Sequence, residues 1–339
     1  MKKRIYIAYT GGTIGMKKVN GRYLPIPNFL QELMAENPAF HHPDLPHYTI
    51  HQYDPLFDSP DMSPADWSKI ARDICDHYQD YDGFIVLHGT DTMAYTASAL
   101  AFMLKNLAKP VIVTGSQIPL CELRNDAQEN LISALLLAAH ADVIPEVGLY
   151  FNSQLFRGCR SVKVDADGFD AFASPNYPPL ATLGTEIEIQ HRRILPLPTA
   201  TTIDLREIQQ PSVVGAFRFF PGMSAQILDN VLQPPLRGLI LETYGSGNGP
   251  TSDKAFVRVL AEANERGVLI VNCTQCLRGT VDQSRYATGA ELAEVGVLSG
   301  YDMTPEAALT KLAYLLSGEH DVETVKLLLQ EDLRGELTR

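Results

Sequence analysis

Two short motifs hold threonine hydroxyls that could carry out nucleophilic chemistry. Thr10–Gly15, with the sequence TGGTIG, directly follows the apolar segment Ile5–Tyr9, and His88–Thr92, with the sequence HGTDT, follows the apolar segment Phe84–Leu87. A threonine hydroxyl attacks an amide once a neighbouring base removes its proton, and the covalent intermediate divides one difficult hydrolysis into two easier steps. Each motif also has a simpler interpretation: a tight glycine turn or phosphate-binding loop for the first, and a helix cap for the second.

The residues that follow the first motif favour a hairpin over a nucleotide-binding helix. The motif has neither the lysine of a P-loop nor the glycine spacing of a dinucleotide-binding loop. Asn20-Gly21 is the commonest pair in two-residue hairpin turns, so we expect a hairpin over Met16–Leu24. Tyr23 lies on the returning arm, from which its ring can swing back over Thr13.

Strand-like and helical segments alternate along the first half of the chain, which predicts a parallel sheet with helices on both faces. The other predicted strands are Thr49–Tyr53, Val111–Val113 and Val147–Phe151, and the predicted helices begin at Ser63-Pro64-Ala65-Asp66, cover Thr92–Leu107, and run from Asn125 to His140. The carboxyl ends of parallel strands share one edge of a sheet, where such folds bind ligands. We therefore expect both threonine motifs at that edge.

The length of 339 residues suits two domains. Residues 187–211 contain Arg192, Arg193 and several prolines with few regular patterns, which is typical of a linker. A second, smaller α/β unit follows, with strands predicted at Val213–Phe219, Gly238–Glu242 and Val268–Asn272 and helices at Ser252–Arg266 and Thr304–Ser317. We place a catalytic domain at 1–190, a linker at 191–211 and a second domain at 212–339.

Charge and cysteine content exclude several classes of protein. The formal net charge of −12 argues against nucleic-acid binding, which requires a basic surface. No apolar run approaches the roughly 18 residues of a membrane span, and Ile5–Tyr9 is too short for a signal peptide. An odd set of five cysteines fits a reducing compartment: Cys75, Cys121, Cys159, Cys273 and Cys276. The sequence therefore predicts a cytoplasmic protein that binds neither nucleic acid nor membranes.

Taken together, the two motifs resemble the two signatures of the L-asparaginase family, and are most similar to its bacterial type I, cytoplasmic branch. Asp58–Met62 is similar to the family's substrate loop, and the resemblance continues through Thr114–Pro119, Asp165–Asn176 and Leu333–Leu337. It implies hydrolysis of L-asparagine to L-aspartate and ammonia through a threonine-linked acyl-enzyme, without metal or cofactor. It also implies an α/β fold, with a larger, mainly parallel flavodoxin-like domain and a smaller Rossmann-like domain, assembled as a homodimer or homotetramer.

The resemblance also implies the site residues. The catalytic set is Thr13 as the nucleophile with Tyr23 beside it, and a second triad of Thr90, Asp91 and Lys163. The substrate-binding set is Asp58, Ser59, Pro60, Thr90, Asp91, Ser116 and, from a neighbouring subunit, Asn248. An acidic loop suits a zwitterionic substrate, since Asp58 would pair with its ammonium group. From the residues alone, Lys163 reads as a solvated lysine and Asn248 equally well as a plain loop residue.

A second ligand site is implied near the Cys273–Cys276 segment, which has CxxC spacing. Thioredoxin-like or zinc chemistry would need a context that the sequence lacks. In the type I branch this segment resembles an effector pocket, in which Thr274, Gln275 and Cys276 would hold a second asparagine. This chain has Glu242 where the regulated enzymes carry arginine. A carboxylate cannot pair with the effector's carboxylate, so we expect no such regulation.

Two other functions stay open at the level of sequence. One is the asparaginase-like subunit of a tRNA-dependent amidotransferase, which normally carries an additional amino-terminal domain, whereas here the first strand begins at once. The other is a non-catalytic module that senses asparagine through the Cys276 region. Release of ammonia from free asparagine separates the expected enzyme from both.

Overall fold

The structure is a computed structural model that describes residues 2–209 and 211–339. The chain forms two compact units, Met1–Arg206 and Glu207–Arg339. This division falls inside the predicted linker 191–211, and the outer limits of the two predicted domains stay a prediction. Met1 in the first predicted domain and Gln210 in the predicted linker lie outside the described residues.

The first unit alternates strands with four helices. Its strands are β1 (Arg4–Gly11), β2 (Met16–Val19), β3 (Arg22–Pro25), β4 (His47–Phe57), β5 (Gly83–Leu87), β6 (Leu104–Lys105), β7 (Val111–Thr114), β8 (Val147–Phe151), β9 (Gln154–Arg157), β10 (Val162–Lys163), β11 (Phe172–Ala173), β12 (Ala181–Leu183), β13 (Ile187–Ile189) and β14 (Asp204–Leu205). Its helices are α1 (Phe29–Glu36), α2 (Pro64–Asp76), α3 (Met93–Met103) and α4 (Ala127–Ala138).

Eight strands form the main sheet of this unit, in the order β13-β12-β9-β8-β7-β5-β1-β4. The block from β8 to β4 is parallel, and β9, β12 and β13 extend it in antiparallel fashion. Numbered along the chain, the parallel strands lie in the order 2-1-3-4-5, which is flavodoxin-like. The direction of strand addition reverses between β1 and β5, and folds of this kind bind ligands at that reversal, outside the carboxyl ends of the strands.

Local sequence signals account for much of this unit. Every residue of β5, β7 and β8 is buried, as expected for apolar strands covered on both faces. The predicted start of α2 is confirmed: Pro64 is its first residue, and the Ser63 amide donates to Asp66 Oδ2 at 2.9 Å.

Two predicted boundaries were wrong. The helix predicted over Thr92–Leu107 ends at Met103, because Leu104–Lys105 pairs with Asp204–Leu205 and Asn106 takes the left-handed conformation, with φ 61°. Ile187–Ile189, read from the sequence as the start of the irregular segment, forms β13 at the edge of the main sheet instead. The first error arises from pairing with a strand about 100 residues away, and the second from a local hairpin between Ala181–Leu183 and Ile187–Ile189.

The second unit is a smaller parallel α/β unit. Its strands are β15 (Val214–Arg218), β16 (Gly238–Thr243), β17 (Leu269–Thr274) and β18 (Val297–Ser299), and its helices are α5 (Ala225–Val231), α6 (Lys254–Glu265), α7 (Ala287–Glu294), α8 (Pro305–Leu316) and α9 (Val322–Leu329). The four strands lie in chain order and are all parallel. The predicted fold class, a larger mainly parallel unit followed by a smaller Rossmann-like one, is confirmed.

A buried ion pair ties the last part of the chain to this second unit. Lys311 Nζ on α8 lies 2.5 Å from Glu336 Oε1, and both side chains are 0% exposed. Lys311 also donates to Leu329 O at 3.0 Å, while Glu336 accepts the amides of Leu333 and Arg334. The charges are therefore fully hydrogen-bonded inside the unit. Across the ranges 2–209 and 211–339, no helix is both long and apolar enough to cross a membrane.

Candidate active site

Three loops touch one another at the carboxyl ends of β1, β4 and β5. Gly12, with φ 87°, packs so closely on the third loop that a Cβ at Gly12 would lie 2.4 Å from Gly89 N. A Cβ at Gly89 would in turn lie 2.4 Å from Ser59 Oγ. Only glycine permits these approaches. Ser59 therefore contacts Gly89 directly, and Thr13 and Thr90 are the neighbours in sequence of the two glycines that are in contact.

Thr13 begins the first turn after β1. The turn is a single 3₁₀ turn, Thr13–Gly15, and Leu120 N donates to Ile14 O at 3.0 Å to hold it. Ile14 is buried, whereas Thr13 is only partly buried. Within the part of the chain that the structure describes, the Thr13 hydroxyl has no hydrogen-bond partner. It is therefore available to a ligand.

The predicted triad residues Thr90, Asp91 and Lys163 come together in the structure. Lys163 Nζ donates to Thr90 Oγ1 at 2.9 Å and to Asp91 Oδ1 at 2.7 Å. Strand β10 positions Lys163 by pairing it with Phe172. The Thr90 residue is buried, the Lys163 side chain is 21% exposed, and that of Asp91 is 59% exposed. The arrangement can pass a proton between the threonine hydroxyl and the amine.

His88, to which the sequence analysis gave no role, stabilises the backbone of the second motif by a hydrogen bond to Gly89. His88 Nδ1 lies 2.7 Å from Gly89 O, and a carbonyl oxygen only accepts hydrogen bonds, so Nδ1 carries the ring proton and donates to it. Nε2 then accepts the Thr96 hydroxyl at 2.9 Å, and Trp67 Nε1 donates to Thr96 Oγ1 at 3.0 Å. Burial lowers the pKa of His88 to about 4, so the ring is neutral. The imidazole fixes the backbone just before Thr90.

The predicted substrate loop follows β4. Ser59 is buried and begins a 3₁₀ turn, and its carbonyl accepts the Thr92 hydroxyl at 2.7 Å. Asp58 and Pro60 on either side are exposed, so the Asp58 carboxylate is accessible to a cationic group. Ser116 is buried, and its hydroxyl donates within its own loop, to Ile118 O at 2.7 Å. In this structure Ser116 is therefore already paired.

The predicted hairpin after the first turn is confirmed. Strands β2 and β3 pair antiparallel across Asn20 and Gly21, whose φ angles are 50° and 82°. Tyr23 is 42% exposed, and its hydroxyl donates to Glu122 Oε1 at 3.1 Å. This hydrogen bond raises the pKa of Tyr23. The partner of the Tyr23 hydroxyl is thus Glu122, 99 residues away, which no sequence pattern indicates. The closure of Tyr23 over Thr13 stays a prediction.

The remaining predicted residues lie in the second unit. Asn248 belongs to the turn after β16, where its Oδ1 accepts the Thr288 hydroxyl at 2.9 Å. Its contribution to a neighbouring subunit's site stays a prediction. Within the described residues, no group of three or more His, Cys, Asp or Glu side chains is arranged to hold a metal ion.

The predicted effector residues lie together at the ends of β16 and β17. Gln275 Nε2 donates to Glu242 O at 2.9 Å and to Phe219 O at 2.8 Å, and the Cys276 amide donates to Thr274 Oγ1 at 3.0 Å. Glu242 Oε2 lies 4.0 Å from Arg218 Nε on the neighbouring strand. The Glu242 carboxylate thus lies beside these residues, and the absence of regulation by a second asparagine stays a prediction.

Comparison with known proteins agrees with this geometry. Residues 4–195 match the family "Asparaginase, N-terminal" and residues 213–329 match "Glutaminase/Asparaginase C-terminal domain". L-asparaginase 1 of Escherichia coli K12 is 54% identical over 337 residues, which are 99% of this chain and 98% of that protein.

Two solved structures share the fold over nearly the full length. L-asparaginase I from Vibrio cholerae O1 biovar eltor has a TM-score of 0.92 and 51% identity, with 100% of both chains covered. The thermostable L-asparaginase from Thermococcus kodakarensis has a TM-score of 0.87 and 33% identity, with 99% of both chains covered.

Proposed function

This chain belongs to the asparaginase family, and on that premise we propose that it hydrolyses the side-chain amide of L-asparagine to L-aspartate and ammonia through a threonine-linked acyl-enzyme. The observation that supports the proposal is the close approach of Gly12 and Gly89, which are the neighbours in sequence of Thr13 and Thr90, together with the hydrogen bonds from Lys163 to Thr90 and Asp91. We further propose that the enzyme works in the cytoplasm as a homodimer or homotetramer, without metal or cofactor.

Recognition of the substrate rests on the loop after β4. The exposed Asp58 carboxylate pairs with the α-ammonium group, and Ser59 and the backbone around Pro60 bind the α-carboxylate. Because Ser59 Oγ lies against the Gly89 backbone, a substrate held at this loop directs its side chain between the two threonine motifs. This positioning converts the reaction with the hydroxyl into an intramolecular one.

Acylation begins when Thr13 Oγ1 attacks the carboxamide carbon. The hydroxyl proton ends on the leaving nitrogen, so ammonia departs and an ester joins Thr13 to the β-aspartyl group. The backbone N–H of Thr90, in the loop between β5 and α3, stabilises the oxyanion of the tetrahedral intermediate, and one such donor is typically worth on the order of 10²–10³ in rate. Tyr23 closes over Thr13 on its hairpin.

Deacylation uses the second triad. Once Lys163 Nζ has released a proton to solvent, the amine accepts a proton from the attacking water through Thr90 Oγ1, and Asp91 balances the resulting charge. As the ester C–O bond breaks, the same path returns this proton to Thr13 Oγ1, so aspartate is released and the Thr13 hydroxyl is regenerated. The existing 2.9 Å hydrogen bond between Lys163 and Thr90 supports this path.

The direct test is ammonia release from L-asparagine by the purified protein and by Thr13→Ala. We expect the variant to lose at least roughly 10³ in kcat, because it lacks the nucleophile. The control is Thr185→Ala, an exposed loop threonine, which should match the wild type. Near-normal activity of Thr13→Ala would remove the nucleophile assignment.

The same assay decides between the enzyme and its two rivals. An amidotransferase subunit would release little ammonia from free asparagine unless its partner and tRNA were present. A sensor would bind asparagine calorimetrically without turnover, and it would do so equally well after loss of the Thr13 hydroxyl.

A further inference from the structure

Gln117 makes a hydrogen bond to Thr90 that no role assigned so far explains. Gln117 Oε1 lies 3.2 Å from Thr90 Oγ1, which also accepts from Lys163 Nζ at 2.9 Å. The glutamine reaches Thr90 from the loop after β7, across 27 residues of sequence. We propose that Gln117 is a positioning residue that orders the Thr90 hydroxyl for the reaction proposed above, on which this inference rests.

The direction of this hydrogen bond follows from the other end of the same amide. Gln117 Nε2 lies 3.1 Å from Gly168 O and 3.2 Å from Ala166 O. Carbonyl oxygens only accept hydrogen bonds, so the NH₂ group must face them and the amide oxygen must face Thr90. Thr90 therefore donates its single proton to Gln117.

The consequence at Thr90 is a fixed arrangement of donor and acceptors. With its proton committed to Gln117, Thr90 Oγ1 presents a lone pair to Lys163 and accepts from Nζ at 2.9 Å. A hydroxyl free to rotate would also populate an orientation in which its proton points at the ammonium group and clashes with it. Gln117 excludes that orientation as long as Lys163 is an ammonium group; once the amine has lost a proton, the Thr90 hydroxyl turns from Gln117 to Lys163 for the proton transfer proposed above.

The glutamine itself is held rigidly. Its backbone N–H donates to Asp126 Oδ2 at 2.9 Å, and the neighbouring Ile118 amide donates to Asp126 Oδ1 at 2.9 Å. The turn that it binds is closed by Asp165, whose Oδ1 accepts the amide of Gly168 at 2.9 Å. This turn begins two residues after Lys163. The Gln117 side chain therefore connects Thr90 to the segment that carries Lys163.

The first test is Gln117→Met, which keeps the length of the side chain and removes its hydrogen bonds. We expect kcat to fall about 10- to 100-fold, because Thr90 loses its fixed orientation, with KM within about threefold. The matched control is Gln128→Met, a glutamine on α4 whose amide also accepts a hydrogen bond, from Asn37 at 2.7 Å. It should retain wild-type kcat.

The second test is Gln117→Glu, read as kcat at the pH optimum of the variant. The carboxylate keeps an acceptor for Thr90 but lacks the NH₂ group that binds Gly168 O and Ala166 O, so we expect kcat within about fivefold of the wild type together with lower thermal stability. A side chain that served only as a structural tether to that turn would lose as much kcat in Gln117→Glu as in Gln117→Met. This measurement stands even if Gln117→Met fails to fold.

The outcomes separate the two proposals. If the wild type releases no ammonia from L-asparagine, the proposed function fails. If the wild type is active, then either a Gln117→Met kcat within twofold of it or a Gln117→Glu kcat more than tenfold below it, at the pH optimum, overturns the role of Gln117 alone.

Discussion

The hydroxyl groups of Thr90 and Thr13 differ in burial and in hydrogen bonding. Thr90 is buried and hydrogen-bonded to Lys163 and Gln117, whereas Thr13 is partly buried and has no hydrogen-bond partner within residues 2–209 and 211–339. A free hydroxyl suits attack on an incoming carbon, and a bonded one suits transfer of protons. The difference in environment therefore supports different roles for the two threonines.

Removal of the Thr90 hydroxyl tests its role at this scale. Thr90→Val keeps the shape of the side chain but removes the hydroxyl that links Lys163 to the reacting atoms, so we expect kcat to fall at least roughly 10³-fold, with thermal stability little changed. Ammonia release measures the effect, and Thr185→Val serves as the exposed control. A loss below tenfold would mean that the triad does not transfer protons.

Glu242 carries a prediction about regulation. Because its carboxylate faces Arg218 and repels a second carboxylate, we expect the rate to depend hyperbolically on asparagine concentration. Initial rates over a wide substrate range provide the measurement. A sigmoidal curve that becomes hyperbolic in Thr274→Ala would show that an effector site operates despite the glutamate.

At the scale of elements, the convergence of the two threonine motifs was predictable because parallel strands end at one edge of a sheet. The reversal of strand order between β1 and β5 lies at that edge, as the flavodoxin-like order requires. The start of α2 was predictable for a local reason, the serine–proline–aspartate capping signal.

Contacts between distant segments were beyond prediction from one sequence. The end of α3 depends on the pairing of Leu104–Lys105 with Asp204–Leu205, and Tyr23 finds Glu122 across 99 residues. Gln117 illustrates the same limit, since its partners at Thr90 and Gly168 are adjacent only after folding. Periodicity and capping report on neighbours in sequence, and these contacts have no such signal.

The connection from β5 into α3 should make the first unit sensitive to acid through His88. Its pKa of about 4 lies below the ordinary value of 6.5, so between these values the unfolded chain binds more protons and stability falls as pH falls. From pH 7 to pH 5 the expected loss is about 2 kcal/mol.

Urea unfolding followed by Trp67 fluorescence measures this loss, since Trp67 is the single tryptophan and belongs to the same hydrogen-bonded chain as His88. In His88→Gln the part of the pH dependence that His88 supplies should disappear. An unchanged slope between pH 5 and pH 7 would show that His88 is not the titrating group.

At the scale of the whole molecule, the second unit depends on the buried pair of Lys311 and Glu336. Because neither side chain is exposed, removal of one partner leaves an uncompensated charge in the interior, which typically costs about 3–5 kcal/mol. We therefore expect Glu336→Gln to destabilise the second unit strongly, and hydrogen exchange of the amides in α8 and β17 to report it.

Lys311→Met with Glu336→Leu is the matched control for that experiment. Replacing both charges by apolar groups should recover most of the lost protection, because no charge then stays buried alone. If the single and double variants are equally stable, the ion pair contributes little to the unit.

The two members of this ion pair are synthesised at different times. Lys311 leaves the ribosome 25 residues before Glu336, which at about 5–20 residues per second is a delay of roughly one to five seconds. The first unit, complete by Arg206, has been synthesised before this interval begins, whereas α8 lacks its counter-charge throughout it. A chaperone that binds the nascent chain would therefore find its substrate in the incomplete second unit, between the synthesis of Lys311 and that of Glu336.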